Sequence, residues 1–273
     1  MSDLTTPLTV STINVNGIRA AVKQRSAENL GLLHWLSETG ADIVCLQETR
    51  ADDEQVAKAL APAVAEGWQV ATAEPHIKGR SGVAVLSRHP IDDARLLESD
   101  EFRSHGRYLE VDTAGVTVAS VYVQTGEADT PFQQEKERFM ATLAERMEVL
   151  RTAGREAVVC GDWNIAHTER DIKNWKGNLK KSGFLPNERQ WVTELLETGW
   201  VDVVRRLHPD VEGGPYSWWS WRGRAFDNDA GWRIDYHLVT PGLAARAVSG
   251  GTEKPAAYAL RWTDHAPVTV TFG

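Results

Sequence analysis

The sequence predicts an α/β sandwich in which mixed β-sheets carry helices on their outer faces. Several short apolar runs are continuous rather than alternating, as strands covered on both faces should be. Hairpin-like pairs of these runs mix with strand–helix–strand passages, which argues against a purely parallel wound sheet. Amphipathic stretches with cap signals separate some of the runs.

In chain order, residues 8–14 read as the first strand and 28–38 as a helix carrying Leu32, Leu33, Trp35 and Leu36. Strands follow at 42–47, 82–87, 107–111 and 116–123. The best-signalled helix opens with Thr130 as N-cap, Pro131 at the first helical position and Gln133 completing a capping box. Phe132, Phe139, Leu143, Met147 and Leu150 give its apolar stripe, and Gly154 lies past its end. A strand at 157–160, a helix at 187–197 and strands at 234–240 and 267–272 complete the pattern. Residues 1–7 read as a short disordered N-terminus and 8–273 as a single domain. Function is expected on loops at strand ends.

At 273 residues the chain can bury a large core without disulfide or metal staples. Cys45 and Cys160 sit in apolar runs without zinc-site spacing, so both read as buried, reduced thiols. No basic–apolar leader and no long apolar span is present, so the expectation is a cytoplasmic, nucleoid-associated protein with no membrane contact. Monomer is the default expectation. The net charge of −8 argues, by itself, against nucleic acid. A local strip overrides it: Arg170, Lys173, Lys176, Lys180, Lys181 and Arg189 stand against only Asp171 and Glu188. Tryptophan is the compositional outlier: of 11, only Trp35 and Trp68 precede Cys160.

Polar residues recur where apolar runs stop. Asn14-Val-Asn16-Gly17 closes the first strand, Leu46-Gln47-Glu48-Thr49 another, and Gly161-Asp162-Trp163-Asn164 a third. Trp232-Arg233-Ile234-Asp235-Tyr236 and Thr263-Asp264-His265 follow. One such end is usually a turn. Five together, rich in hard oxygen donors and lacking a Ser or Cys nucleophile, suit Mg²⁺ or Mn²⁺ and metal-assisted phosphoryl transfer to water.

These motifs, in this order and across nearly the whole chain, resemble exonuclease III and the abasic-site endonucleases. The resemblance implies the endonuclease/exonuclease/phosphatase fold, a four-layer sandwich of two packed mixed β-sheets flanked by helices. Two narrower motifs resemble the abasic-site branch. Asp171-Ile172-x-Asn174-x-Lys176-Gly177-Asn178, continuing to Ser182-Gly183-Phe184, looks like its DNA-contacting segment. The run Tyr216-Ser217-Trp218-Trp219-Ser220-Trp221, with Trp232, looks like the aromatic wall that takes a flipped-out baseless sugar.

The resemblance implies roles. Tyr122, Asp162, Asn164, Asp235 and His265 are the catalytic candidates. Asn14, Glu48, Asp162, Asn164, Asp264 and His265 are the candidates around one or two Mg²⁺ ions, for which Mn²⁺ would substitute. Glu48 is read as the direct ligand, with Asn14 or Asn16 positioning it, and Asp264 as acting through water. Arg107, Asn174, Lys176, Asn178, Lys180, Trp218, Trp221 and Trp232 are the DNA-binding candidates. Asp162 is favoured over His265 as the base, because pairing with Asp235 would keep His265 protonated. Asn164 would donate its amide to a phosphate oxygen, and His167 would pack rather than ligate. Tyr122-Val123-Gln124-Thr125-Gly126 departs from the family's Tyr-x-Pro followed by an amide, so the role of Thr125 stays open.

The implied function is Mg²⁺-dependent hydrolysis of the DNA backbone 5′ to abasic sites, with 3′→5′ exonuclease and 3′-end cleaning, acting on duplexes with abasic sites or blocked 3′ ends. A second reading, a phosphatase of the same fold acting on inositol phosphates or lipids, shares the catalytic set. It leaves the 174–184 segment and the tryptophan run unexplained. A third, a non-catalytic DNA-binding module, is opposed by the intact acid–base groups.

Overall fold

A computed structural model describes residues 7–273. The expectation of a disordered N-terminus concerns residues 1–7, of which 1–6 lie outside the described residues. The first half runs β1 (Leu8–Asn14), α1 (Ile18–Ala21), α2 (Leu32–Glu38), β2 (Ile43–Gln47), α3 (Asp53–Ala65), β3 (Gln69–Ala73), β4 (Val83–Ser87), β5 (Ile91–Leu96), β6 (Tyr108–Thr113) and β7 (Val116–Tyr122). Then come α4 (Pro131–Thr152), β8 (Ala157–Asp162), α5 (Pro186–Glu197), β9 (Val201–Asp202), α6 (Val203–Leu207), β10 (Asp235–Val239), α7 (Pro241–Ala245), β11 (Ala247–Thr252) and β12 (Val268–Phe272).

Two 6-stranded sheets form, ordered β11-β12-β1-β2-β4-β3 and β5-β6-β7-β8-β10-β9. Among the described residues, only β1–β2 and β7–β8 pair in parallel, so both sheets are mixed. Alternate residues explain the continuous apolar runs. Ile43, Cys45, Val83 and Val85 face the core between the sheets. Val44, Leu46, Ala84 and Leu86 face the cluster that contains the buried residues of α1, α2 and α3. In the second sheet, Val158 and Cys160 point inward, whereas Ala157 and Val159 pack with Phe139 and Met147 of α4 and Val192 and Leu195 of α5. The result is the four-layer arrangement the resemblance implies. Both cysteines are free and buried. Among the described residues, no helix is long and apolar enough to cross a membrane.

Several expectations need correction. The helix placed at 28–38 begins at Leu32, because Ser26 Oγ accepts the Glu28 and Asn29 amides and Asn29 Nδ2 donates to the Ala259 carbonyl. Thr130 makes no side-chain cap; its hydroxyl donates to the Glu127 carbonyl instead. Gln133 turns away from the helix start to Glu188, so no capping box forms there. Helix α3 carried weak signals, being alanine-rich and containing Pro62, yet Asp52 caps it by accepting the Gln55 amide at 2.9 Å. Strands β3, β5, β9 and β11 were missed. The charged, exposed residues of β5 suit its position at a sheet edge.

Strand register assembles one rim. Asn14 pairs with Gln47, just before Glu48; Tyr122 pairs with Asp162; and Asp162 pairs with Asp235. Five functional candidates, from strands far apart in sequence, therefore stand at one end of the sandwich.

Candidate active site

Gly161 sets the geometry before Asp162. Its φ is +145°, and a Cβ there would meet the Val121 carbonyl oxygen at 1.9 Å, so only glycine lets β8 pass β7. Asp162, 1% exposed, then enters a dense set of donors. Its Oδ1 accepts the Asn164 amide at 2.9 Å. Its Oδ2 accepts Asn14 Nδ2 at 2.8 Å and Asn164 Nδ2 at 3.1 Å. Asn14 Nδ2 also donates to Glu48 Oε1 at 3.0 Å, tying the two carboxylates together. Glu48 pairs on its other oxygen with Arg50.

His265 Nδ1 lies 2.8 Å from Asp235 Oδ2, and its Nε2 lies 3.7 Å from Asp162 Oδ2. Burial works against an imidazolium, but Asp235 and Asp162 outweigh it and push His265 up to about 10. Burial pushes Asp162 up to about 8, with His265 pulling down and Asp235 pushing further up. His265 is thus held as the imidazolium, and Asp162 takes up a proton more readily than an ordinary carboxylate. Burial, then Glu48 and Asp162, push the Tyr122 hydroxyl well up, so it remains a neutral donor.

Asp162, Asp235 and His265 place one ligand atom each within 4.8 Å of one another, so this buried group could hold a metal ion. The fit is supported by Asp235 Oδ1, which is buried without a hydrogen-bond partner. Glu48 adds a carboxylate beside Asp162 through Asn14.

Asp264 is more constrained than the sequence suggested. Asn16 Nδ2 donates to its Oδ1 at 2.9 Å and Trp218 Nε1 to its Oδ2 at 3.1 Å. Burial would raise its pKa, but His265, Trp218 and Asn16 outweigh that and hold it low. Asn14 thus serves Glu48, whereas Asn16 serves Asp264. Both amide protons of Asn164 are taken, by Asp162 and the Val123 carbonyl, and Thr125 donates to its Oδ1 at 3.1 Å. A phosphate would have to displace one of those partners to be bonded by this amide.

These groups open on a cleft of about 280 Å³. Its polar floor includes Glu48, Asp162, Asn164, Asp264 and His265; Trp218, Trp232 and Ile234 form an apolar side, and Ser182 and Gly183 also line it. Asp235 and Asn14 lie behind the floor. Trp221 does not line the cleft; it packs over Arg261 and against Tyr258 and is 39% exposed. Asn174, Lys176, Asn178 and Lys180 also stand off the cleft, on the loop leading to Ser182. Lys176 lies over Trp175, and Asn178 donates to the Asn174 carbonyl. Arg107 pairs with Glu135 and borders an adjoining hollow with Tyr122, Arg50 and Arg80. Arg50 and Arg80 were not singled out from sequence, whereas Ser182, from the end of the DNA-contacting motif, does line the cleft. Arg50 follows the Glu48 motif by two residues, the one local signal that could have flagged it. Asp171, placed in the DNA-contacting motif, instead clamps structure. Burial would raise its pKa, but Arg233 and Arg205 hold it well below the usual range. His167 Nε2 meets Thr193 Oγ1 at 2.8 Å, away from the cleft.

The profile of the Endonuclease/Exonuclease/phosphatase family matches residues 11–265. The exodeoxyribonuclease of Bacillus subtilis is 35% identical over 259 residues, covering 93% of this chain and 95% of that protein. The structure of an AP endonuclease from Archaeoglobus fulgidus superposes with a TM-score of 0.86 at 30% identity, covering 97% of this chain and 99% of the other. A Neisseria 3′ phosphatase bound to product DNA hairpin superposes at 0.85 with 31% identity and the same coverage. The chain belongs to the endonuclease/exonuclease/phosphatase family, in its exonuclease III and abasic-site endonuclease branch.

Proposed function

We propose that this protein is a magnesium-dependent DNA repair nuclease that hydrolyses the backbone 5′ to abasic sites, with 3′→5′ exonuclease and 3′-end-cleaning activity. One observation carries the reading. The acid–base floor of Asp162, Glu48 and His265 adjoins an apolar side of Trp218, Trp232 and Ile234 in a single cleft. A phosphate fits the first and a sugar without its base fits the second. The relatives' activities on DNA support the same substrate class. The exposed basic loop beside Ser182 is placed to meet further phosphates, which an inositol phosphate would not need.

When held by the Glu48 and Asp162 carboxylates, Mg²⁺ would supply Lewis-acid polarisation of the phosphate. The residues supply the rest. Asn14 and Asn164 fix the Asp162 carboxylate so that it accepts the proton of the attacking water. His265, held charged by Asp235, donates from Nε2 to a phosphate oxygen as negative charge grows. The Tyr122 hydroxyl stays protonated and donates to the same phosphate. Asp264 orients Trp218 through the indole N–H, aligning the sugar wall with the floor.

The test is incision of a duplex carrying one tetrahydrofuran abasic analogue in Mg²⁺. Cleavage only 5′ to the analogue, abolished by EDTA, is expected. Binding without cleavage, or release of phosphate from an inositol phosphate with the duplex left intact, overturns the reading.

A further inference from the structure

Behind the cleft floor lies a charged pair that the reaction above does not use. Lys136 of α4 and Glu188 of α5 are both fully buried, with Nζ 2.7 Å from Oε1. The ammonium also donates to the Asn164 main-chain carbonyl at 3.0 Å and to Ser182 Oγ at 3.4 Å. The carboxylate accepts the Gly183 amide at 2.6 Å, the Leu185 amide at 3.0 Å and Ser182 Oγ at 3.0 Å. Gln133 Nε2 adds a further bond at 3.0 Å. One buried pair therefore touches the turn after Asp162 on one side and the cleft-lining end of the basic loop on the other.

Two facts set it apart from a staple between helices. Taking two charges out of water is costly, and apolar side chains of similar volume often give equal or greater stability. Stability alone gives no reason for an ion pair at this place. The geometry does. Asn164 has φ +48°, a left-handed conformation uncommon for residues other than glycine. Its backbone is held from both ends, the N–H by Asp162 Oδ1 and the C=O by Lys136. Gly183 sits hard against this turn: a Cβ on it would meet the Asn164 carbonyl oxygen and the Trp232 ring at 3.0 Å each. The turn, the loop end and the aromatic wall are thus packed in series on Lys136 and Glu188.

We propose that Lys136 and Glu188 are positioning residues for the nuclease reaction, holding the Asn164 turn and the Asp162 carboxylate in register with the Ser182–Gly183–Trp232 wall that seats the DNA. The inference rests on the nuclease reading proposed above. Neither side chain lines the cleft. Their effect is on the alignment of the groups that do.

The experiment compares the parent protein with Lys136→Met/Glu188→Gln in single-turnover incision of the tetrahydrofuran duplex, with enzyme in excess. This rate constant does not depend on the fraction of active enzyme, so partial unfolding does not mimic the effect. The double variant removes both charges, and Gln keeps an acceptor for the Gly183 and Leu185 amides. Cooperative melting, duplex affinity within about threefold of the parent and a rate constant lower by on the order of 10²-fold are expected, the last being the loss that a misplacement of roughly 1 Å brings. Lys136→Arg is the second variant, and it decides the matter if the first does not fold. It keeps the charge, but a planar fork cannot replace a point ammonium among three acceptors, so a loss on the order of tenfold is expected with melting still cooperative. A folded variant that incises within about twofold of the parent overturns the proposal, as does a loss of rate matched by an equal loss of DNA affinity. A parent that does not incise at all overturns the nuclease reading and this inference with it, and that outcome is distinct from an active parent with active variants.

Discussion

Asn14 and Asp162 end inner strands of opposite sheets, and Asn14 Nδ2 donates to Asp162 Oδ2 across 2.8 Å. The chain then turns in the same way after each. Asn16 and Asn164 both adopt φ +48°, and each donates its amide at 2.9 Å to the side chain two residues back. One local device, an Asx-type turn, thus closes both strands. Asn16 extends the match by gripping Asp264, so the two turns share in fixing the floor.

Replacing Asn14 with Ala removes the donor shared by Glu48 and Asp162. The Mg²⁺ concentration for half-maximal incision should rise by about 10–100-fold, as it does when groups that orient metal ligands are lost. A metal titration with the half-maximal point unmoved would show that Asn14 does not organise the ligands.

Asp162→Asn keeps the shape of the side chain and removes the proton acceptor. At saturating Mg²⁺ the rate should fall by roughly 10²–10⁴-fold. A loss under about tenfold in steady-state assays would shift the base role away from Asp162.

Thr125 lies in the segment that departs from the family pattern, and its hydroxyl donates to Asn164 Oδ1 at 3.1 Å. Thr125→Val keeps the volume but drops the bond. A hydrogen bond of about 0.5–1.5 kcal/mol net predicts a loss of incision rate of about twofold to tenfold. Thr125→Ser should restore it. Equal rates for Val and Ser would mean that the hydroxyl does not orient Asn164.

His237 is fully buried between the sheets, with Nε2 3.1 Å from the Val10 carbonyl oxygen. Burial lowers its pKa from the ordinary 6.5 to about 4, only partly offset by that carbonyl. The unfolded chain therefore takes up a proton between these values that the native protein refuses. Its contribution to stability is complete above pH 6.5 and declines as pH falls toward 4, by about 3 kcal/mol at roughly 1.4 kcal/mol per pH unit. Urea unfolding of His237→Gln between pH 7 and 4.5 should show a shallower decline than the parent. Parallel declines would assign the acid sensitivity to other groups.

Local chemistry made much of the site legible. The runs that end in Asn14, Glu48 and Asp162 are apolar at successive positions because one face meets the opposite sheet and the other meets helices. Polar residues at their ends had to lie on one rim or another. Edge strands such as β5, and α3 with its weak apolar stripe, were not legible, because neighbours rather than their own periodicity stabilise them. The aromatic run misled in one respect. The resemblance placed Trp218 and Trp221 in one wall, but the backbone sends Trp218 to Asp264 and the cleft, and Trp221 outward to Arg261 and Tyr258.

The sequence by itself determined the layered fold class, the motif residues and the basic loop, since periodicity and strand-end chemistry are local properties. Only the tertiary structure decided which groups touch. The Asn14–Asp162 bond spans 148 residues and the Asp235–His265 bond spans 30. Strand order and register set those contacts, and no spacing along the chain encodes them. The same holds for Lys136 and Glu188, which read as ordinary helix charges until α4 and α5 close over them and leave each as the other's only counter-ion within salt-bridge distance among the described residues.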